Sequence, residues 1–154
     1  MNELLKRMEI ERLVARSCWC LDERKYDEWV NLFSKDGTYE IRTYSPEIRK
    51  NMIWMSNDKE QLAQLLKELP KHVIDQANRR HVFSLVDVQF EHEEKARVTT
   101  NFSLFRTDIS GKSSLYIVGE YYDVCILEDN QWLIQERKTY LDTRQLDLQS
   151  QYPV

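Results

Sequence analysis

Glycine and proline occur only three times each in the 154 residues, so there is little material for linkers, low-complexity tails or Pro-rich recognition segments. Cysteine is equally scarce. Cys18, Cys20 and Cys125 are an odd number in a chain that shows no secretion signal, and reduced thiols are expected. No apolar run approaches the roughly 20 residues of a membrane-spanning helix. The opening Met-Asn-Glu-Leu-Leu-Lys-Arg-Met-Glu-Ile carries charges every few positions and lacks the apolar core of a signal peptide. A cytoplasmic location is the expectation. The net charge is −4 and the basic residues are scattered. Nucleic acid and anionic membrane both need a concentrated basic face, so neither is expected as the main partner.

The common catalytic signatures are missing as well. There is no Gly-x-Ser-x-Gly elbow, no phosphate loop and no dinucleotide fingerprint. A cluster held by two Cys and two His needs paired short spacings, and no Cys-x-His or Cys-x-x-His occurs. The histidines are His72, His81 and His92. A mononuclear iron site would require His72, His81 and a distant acid to converge, which nothing in the spacing suggests. Cys18-Trp19-Cys20 lies on a predicted helix, where residues two apart diverge. Cys18 then reads as core and Cys20 as helix surface. Proton-transfer chemistry is untouched by these absences.

What is present suits one domain spanning residues 1–154, with 42% apolar and 11% aromatic residues. A first helix is predicted from about Asn2 to Asp22, with Ile10, Leu13, Val14, Ser17, Cys18 and Leu21 as its buried stripe. A short helix follows over Tyr26 to Phe33. Lys35-Asp36-Gly37 turns into a strand over Thr38 to Thr43, a loop holds Pro46, and Met52 to Met55 reads as a short extended piece. The third helix has Asn57 as N-cap, Glu60 in the capping-box position, Leu62, Leu65, Leu66 and Leu69 as buried face, and Pro70 as stop. From Arg80 the period becomes 2. Val82, Ser84, Val86, Val88 and Phe90 are predicted to share a face, as are Val98, Thr100, Phe102 and Leu104. Leu115 to Leu127 suits a central strand, with Gly119 marking a bulge or a close backbone approach. Trp132 to Leu141 is the last strand, after a turn at Asp129-Asn130.

This order predicts an α+β fold: a cone-shaped, curved antiparallel sheet with the amino-terminal helices packed in its concavity, as in the nuclear-transport-factor-2-like (cystatin-like) superfamily. Small enzymes on that architecture use an Asp or His inside the cone. The candidates here are His81, Asp27, Asp123 and Tyr39. The blander reading pairs Asp123 with Arg137 as a satisfied structural acid and leaves His81 as a hydrogen-bonded core or interface residue.

Five stretches carry a family resemblance. The run from Leu21-Asp22-Glu23-Arg24 through Trp29-Val30-Asn31-Leu32-Phe33 to Asp36-Gly37-Thr38-Tyr39 resembles the amino-terminal signature of the small (β) subunits of aromatic-ring-hydroxylating dioxygenases. Arg80-His81 is similar to that family's Arg-His pair, and Asn101-Phe102 with Arg106 to its next strand. Gly119-Glu120-Tyr121-Tyr122-Asp123 resembles its glycine-to-aspartate strand, and Arg137-Lys138 leading to Leu141-Asp142 its carboxy-terminal element. Two departures, at Ser84-Leu85-Val86-Asp87 and in a third helix lacking an arginine, leave the branch open. The Pro46 loop and the ending Tyr152-Pro153-Val154 look closest to branches acting on aromatic carboxylates.

The resemblance implies a non-catalytic subunit of an oxidoreductase complex that hydroxylates an aromatic, carboxylated ring in aromatic catabolism. It implies no cofactor in this chain. A Rieske 2Fe-2S cluster and a mononuclear Fe(II) would sit in the large (α) partner subunit, with electrons from NADH through a reductase. The small subunit would self-associate as a trimer in an α3β3 assembly. Candidates for contacts between subunits are Arg79, Arg80, His81, Tyr121, Arg137 and Asp142, aromatic and Arg residues being favoured anchors. Two other readings stand beside it: a stand-alone isomerase or dehydratase using His81 and Asp123, and a small-molecule-binding module without turnover.

Overall fold

The computed structural model describes residues 2–69, 75–144 and 152–154. Its elements are α1 (Glu3–Asp22), α2 (Tyr26–Val30), β1 (Phe33–Ser45), β2 (Lys50–Asp58), α3 (Lys59–Glu68), β3 (Asn78–His92), β4 (Lys95–Thr107), β5 (Ser113–Glu128) and β6 (Gln131–Leu141). The strands form one six-stranded sheet in the order β2-β1-β6-β5-β4-β3. Four of its five pairings are antiparallel, but β1 and β6 run parallel, so the sheet is mixed rather than wholly antiparallel. The α+β class and the helix-in-sheet arrangement stand.

The predicted stripe of α1 is buried from Ile10 to Leu21, and Asn2 caps the helix by accepting from the Leu5 N–H at 2.8 Å. Cys20 was expected on the helix surface and is instead fully buried. The reason lies in the α1–α2 corner. Arg24 takes a left-handed φ of 57°, and the Lys25 N–H bonds back to the Cys20 carbonyl at 2.8 Å, folding α2 over that side of α1. Helix α2 ends at Val30, earlier than its apolar run suggested, because Leu32 and Phe33 enter the sheet: the Ile134 N–H bonds to the Leu32 carbonyl at 2.9 Å, and β1 begins at Phe33. The register then jumps from Phe33↔Ile134 to Thr38↔Glu136, so Lys35-Asp36-Gly37 is an excursion inside β1. A Cβ on Gly37 would lie 2.8 Å from both the Phe33 Cβ and the Ser34 carbonyl, so glycine is required there.

Helix α3 starts one residue later than predicted. Asp58 is the N-cap and Gln61 its reciprocal partner, at 2.8 and 2.9 Å. Leu62, Leu66 and Leu69 are buried as expected. Pro70 and His72 lie outside the described residues.

Strand β3 departs from a simple alternation. A bulge between Leu85 and Asp87 reverses its faces. Val88 is buried, while Val82 and Val86 are exposed on the outer side, so these positions do not share a face. Gly119 in β5 marks a close approach, since a Cβ there would sit 2.6 Å from the Tyr140 carbonyl oxygen. The Asp129-Asn130 turn has φ of 49° and 61°, the left-handed pair that a two-residue hairpin prefers.

Candidate functional site

The interior of the cone is filled. Trp29, Phe33, Tyr39, Tyr121 and Arg137 are among its largest fully buried side chains. Rings of Trp29, Phe33 and Tyr39 meet edge to face at 4.9 to 6.3 Å. The Tyr39 hydroxyl donates to the Val154 carbonyl and accepts from its N–H, both at 2.9 Å, and burial pushes that phenol up to about 12.

At the centre Arg137 on β6 faces Asp123 on β5, cross-strand partners by register. Its Nε and Nη2 donate to the two Asp123 oxygens at 2.9 Å each, and Nη1 donates to Ser17 Oγ at 2.9 Å. The guanidinium lies 4.0 Å over the Tyr121 ring, which stacks on Phe102 at 4.3 Å. Burial opposes the guanidinium charge, yet the adjoining carboxylate more than offsets this and holds Arg137 above its ordinary value. Burial also pushes the Cys18 thiol beside it up to about 11. This is a structural cluster: Arg137, Asp123 and Ser17 are spent on one another.

A second cluster lies at the mouth of the cone. Asp22, the last residue of α1, accepts the His81 backbone N–H at 2.8 Å and meets His81 Nδ1 at 2.6 Å. Both side chains are nearly sealed from solvent, 3% and 2% exposed. Among the described residues His81 Nε2 has no hydrogen-bond partner. Nearby, Arg106 donates to both oxygens of Asp75 at 3.1 and 2.6 Å, and Arg79 approaches the same carboxylate at 3.6 Å. The Arg106 hydrogen bonds hold the Asp75 carboxyl down to about 2. Arg24 donates to the carbonyls of Asp75 and Ala77 at 2.7 and 2.8 Å, tying the α1–α2 corner to the chain entering β3. A cavity of 390 Å³ opens between these groups and Tyr26, Leu104 and Tyr152.

The sequence-predicted residues therefore separate. Tyr121 and Arg137 are fully buried inside this subunit and offer nothing to a neighbour, so they leave the set of interface candidates. The His81 side chain is buried too, committed to Asp22. Arg79 is half-buried; Arg80 is exposed and pairs with Glu23 at 3.2 Å; Asp142 is exposed. Asp27 is exposed on α2, away from the cone interior. Asp123 is held by Arg137 in one cluster, and His81 by Asp22 in the other. The partner of His81 is Asp22, which sequence reasoning passed over. An acid on the last turn of a helix works against the helix dipole unless something engages it, and that was the available signal.

The comparisons with known proteins agree with this frame. The SnoaL-like domain family matches residues 2–138. Methanesulfonate monooxygenase hydroxylase subunit beta of Methylosulfonomonas methylovora is 32% identical over 155 residues, covering 94% of this chain and 85% of that one. The chain belongs to the SnoaL-like family, among the β subunits of multicomponent oxygenases. Another member, 2-aminobenzenesulfonate 2,3-dioxygenase subunit beta of Alcaligenes sp, is 28% identical over 134 residues, 87% of this chain and 89% of that one. A solved structure from Novosphingobium aromaticivorans, described as a β subunit of an aromatic-ring-hydroxylating dioxygenase, superposes with a TM-score of 0.81 over 92% of each chain. At 21% identity that likeness shows the fold. The family resemblance carried by the five sequence stretches is borne out.

Membership raises the question of iron, and the described residues of this chain do not fit it. Among the described residues no three His, Cys, Asp or Glu side chains converge on a metal position. His81 is engaged by Asp22, and His92 lies exposed in the β3–β4 turn, accepting the Glu94 N–H at 3.2 Å. Cys18, Cys20 and Cys125 are buried and unpaired. No described helix is long and apolar enough to cross a membrane.

Proposed function

We propose that this chain is the small subunit that assembles with, and stabilises, a larger oxygenase subunit carrying a Rieske cluster and a mononuclear iron, in a cytoplasmic complex fed with electrons from NADH. The observation that carries the reading is the match to an oxygenase β subunit over 94% of the chain. The packed interior supports it: with Arg137, Asp123 and Ser17 satisfying one another, the cone is built for rigidity.

Assembly needs an outer surface, and the sheet offers one. Arg80, Phe105 and Leu115 stand in one cross-strand row on β3, β4 and β5, with Val82 two residues on from Arg80. Phe105, Leu115 and Val82 are exposed at 37%, 56% and 57%, an apolar patch rimmed by Arg80. We place the contacts to neighbouring subunits here, in a trimer of small subunits supporting three large ones. Binding only the folded form, such a partner stabilises the complex by mass action. Two relatives are named for sulfonates, so an organosulfonate replaces the carboxylated ring as the substrate class we favour.

The test is reconstitution. The chain co-expressed with its large subunit should form a complex whose oxygen uptake depends on NADH and a reductase and responds to aryl- or alkylsulfonates before carboxylates. Preference for benzoate-type acids would overturn the substrate reading. A large subunit that turns over fully alone would overturn the stabilising role.

A further inference from the structure

A trimer about a three-fold axis is not built by one patch meeting itself. A self-complementary patch closes a two-fold dimer, whereas a ring needs two different surfaces on every copy, one for each neighbour. The patch of Val82, Phe105 and Leu115 supplies one of them. The other must lie elsewhere on the chain and must suit that patch.

The β1–β2 hairpin meets both conditions. Its side chains Tyr44, Ile48, Met52, Ile53 and Trp54 are 38% to 59% exposed. Met52 and Ile53 are successive residues of β2 and point to opposite faces, so solvent reaches both sides of the strand. Only at its base does β2 join the core, where Met55 packs against it. β2 is also the outermost strand of the sheet. Its register with β1 skips from Ile41↔Met55 to Arg42↔Ile53, which leaves Trp54 as a bulge. A bulged edge is a poor template for a second β2, and this disfavours a two-fold contact between hairpins.

Charge selects the acceptor. At the hairpin turn Arg49 and Lys50 are exposed, and among the described residues no ion pair engages them. Glu47 beside them is taken by Arg144 at 3.3 Å. On the outer sheet face Val82, Ser103 and Val118 stand in one cross-strand row, next to the row of Arg80, Phe105 and Leu115. They floor a shallow groove whose acids are Glu120 and Asp142. Among the described residues neither acid has an ion pair; Glu120 accepts only the Tyr122 hydroxyl, at 2.9 Å. Strands β2 and β4 are four spacings apart in one sheet, about 19 Å at ~4.8 Å each, so the hairpin does not fold into the groove of its own chain. The exposed Leu4, Leu5 and Met8 on α1 lack such free cations, because Lys6 and Arg7 donate to the carbonyls of Glu93 and Val88.

We propose that the β1–β2 hairpin of one copy docks head to tail onto the groove and patch of the next, closing a ring of three. Met52, Ile53 and Trp54 meet Val82, Val118 and Phe105, while Arg49 and Lys50 face Glu120 and Asp142. The inference rests on the three-fold assembly proposed above and assigns its second surface.

The experiment mixes two variants of the full chain, Ile53→Glu on the hairpin and Phe105→Glu on the patch, and weighs the species by size-exclusion chromatography with light scattering. Each variant alone should need at least about tenfold more protein than the wild type to form trimers. Mixed in equal amounts they should form one-to-one dimers, because one chain keeps a working hairpin, the other a working patch, and the ring has nowhere to continue. Hydroxyl-radical footprinting of the wild type gives a reading free of substitutions: oxidation of Met52, Trp54 and Phe105 should fall together several-fold as dilute monomers are concentrated into trimers. A wild type that stays monomeric at all concentrations removes the three-fold assembly and this inference with it. A trimer whose Met52 and Trp54 oxidise as in the monomer, or an Ile53→Glu variant that trimerises like the wild type, overturns the hairpin docking and leaves the assembly standing. Dimers formed by Phe105→Glu alone would show hairpin meeting hairpin and overturn it equally.

Discussion

Replacing Arg137 by methionine should be among the most damaging single changes this chain can suffer. Methionine keeps much of the apolar stem and removes the guanidinium, so packing volume is nearly retained while three hydrogen bonds of 2.9 Å disappear. Asp123, 2% exposed, is then left as a buried carboxylate with neither of its two donors. Breaking a buried pair in this way costs about 3–5 kcal/mol, much of it the unpaired charge and not the lost attraction. Ser17 loses less, since its hydroxyl still donates to the Val14 carbonyl at 2.7 Å. For a domain of this size each kcal/mol moves the melting temperature by roughly 2–4 °C, so the transition should fall by about 6–20 °C. The double variant Asp123→Leu with Arg137→Met removes both charges. Well-packed apolar replacements of buried pairs are often neutral or stabilising, so the double variant should recover most of the loss. Thermal melting and urea unfolding of both variants decide the matter. A single variant that loses less than about 1 kcal/mol, or a double variant no better than the single, refutes this account of the core.

Asp75 gives a pH signature: its carboxyl sits near 2 in the fold against an ordinary value of 3.8. A depressed carboxyl contributes stability that is complete above the ordinary value and is lost as pH falls from about 4 toward 2, so Asp75→Asn should lower the urea midpoint at neutral pH and flatten its decline across that acid window. Gly119→Ala should cost about 1–3 kcal/mol, read by thermal melting, because the new methyl meets the Tyr140 carbonyl at 2.6 Å and backbone cannot swing away. Phe105→Glu, on the exposed patch, should leave the melting temperature of the isolated chain within a few degrees but weaken its assembly with other subunits, measured by size-exclusion chromatography with light scattering.

Much of this was legible in the chain before any coordinates, and the exceptions share a cause. The stripe of α1 and the alternation of β4 follow local periods, and both appear as read. Strand β2 was seen only as a short piece over Met52 to Met55. It is an edge strand whose apolar residues are consecutive and, apart from the half-buried Met55, exposed, so no period announces it. The face reversal in β3 depends on one bulge residue, which shifts every later side chain and leaves no mark in composition. The parallel β1–β6 pairing joins strands about 100 residues apart, a matter of global topology. At the site, the Arg137–Asp123 pairing was anticipated from residue types. Asp22 was missed because its partner is 59 residues away and its signal, an acid ending a helix, is easily read as surface.

The central claim is that this chain serves as the small subunit of an oxygenase whose iron resides in a larger partner. It is tested most directly by purifying the chain from co-expression with that partner, weighing the complex and counting iron per subunit. A stoichiometric complex, with all iron following the large subunit when the two are separated, is the predicted result. A chain that stays free of the large subunit, or that retains iron after separation, contradicts it.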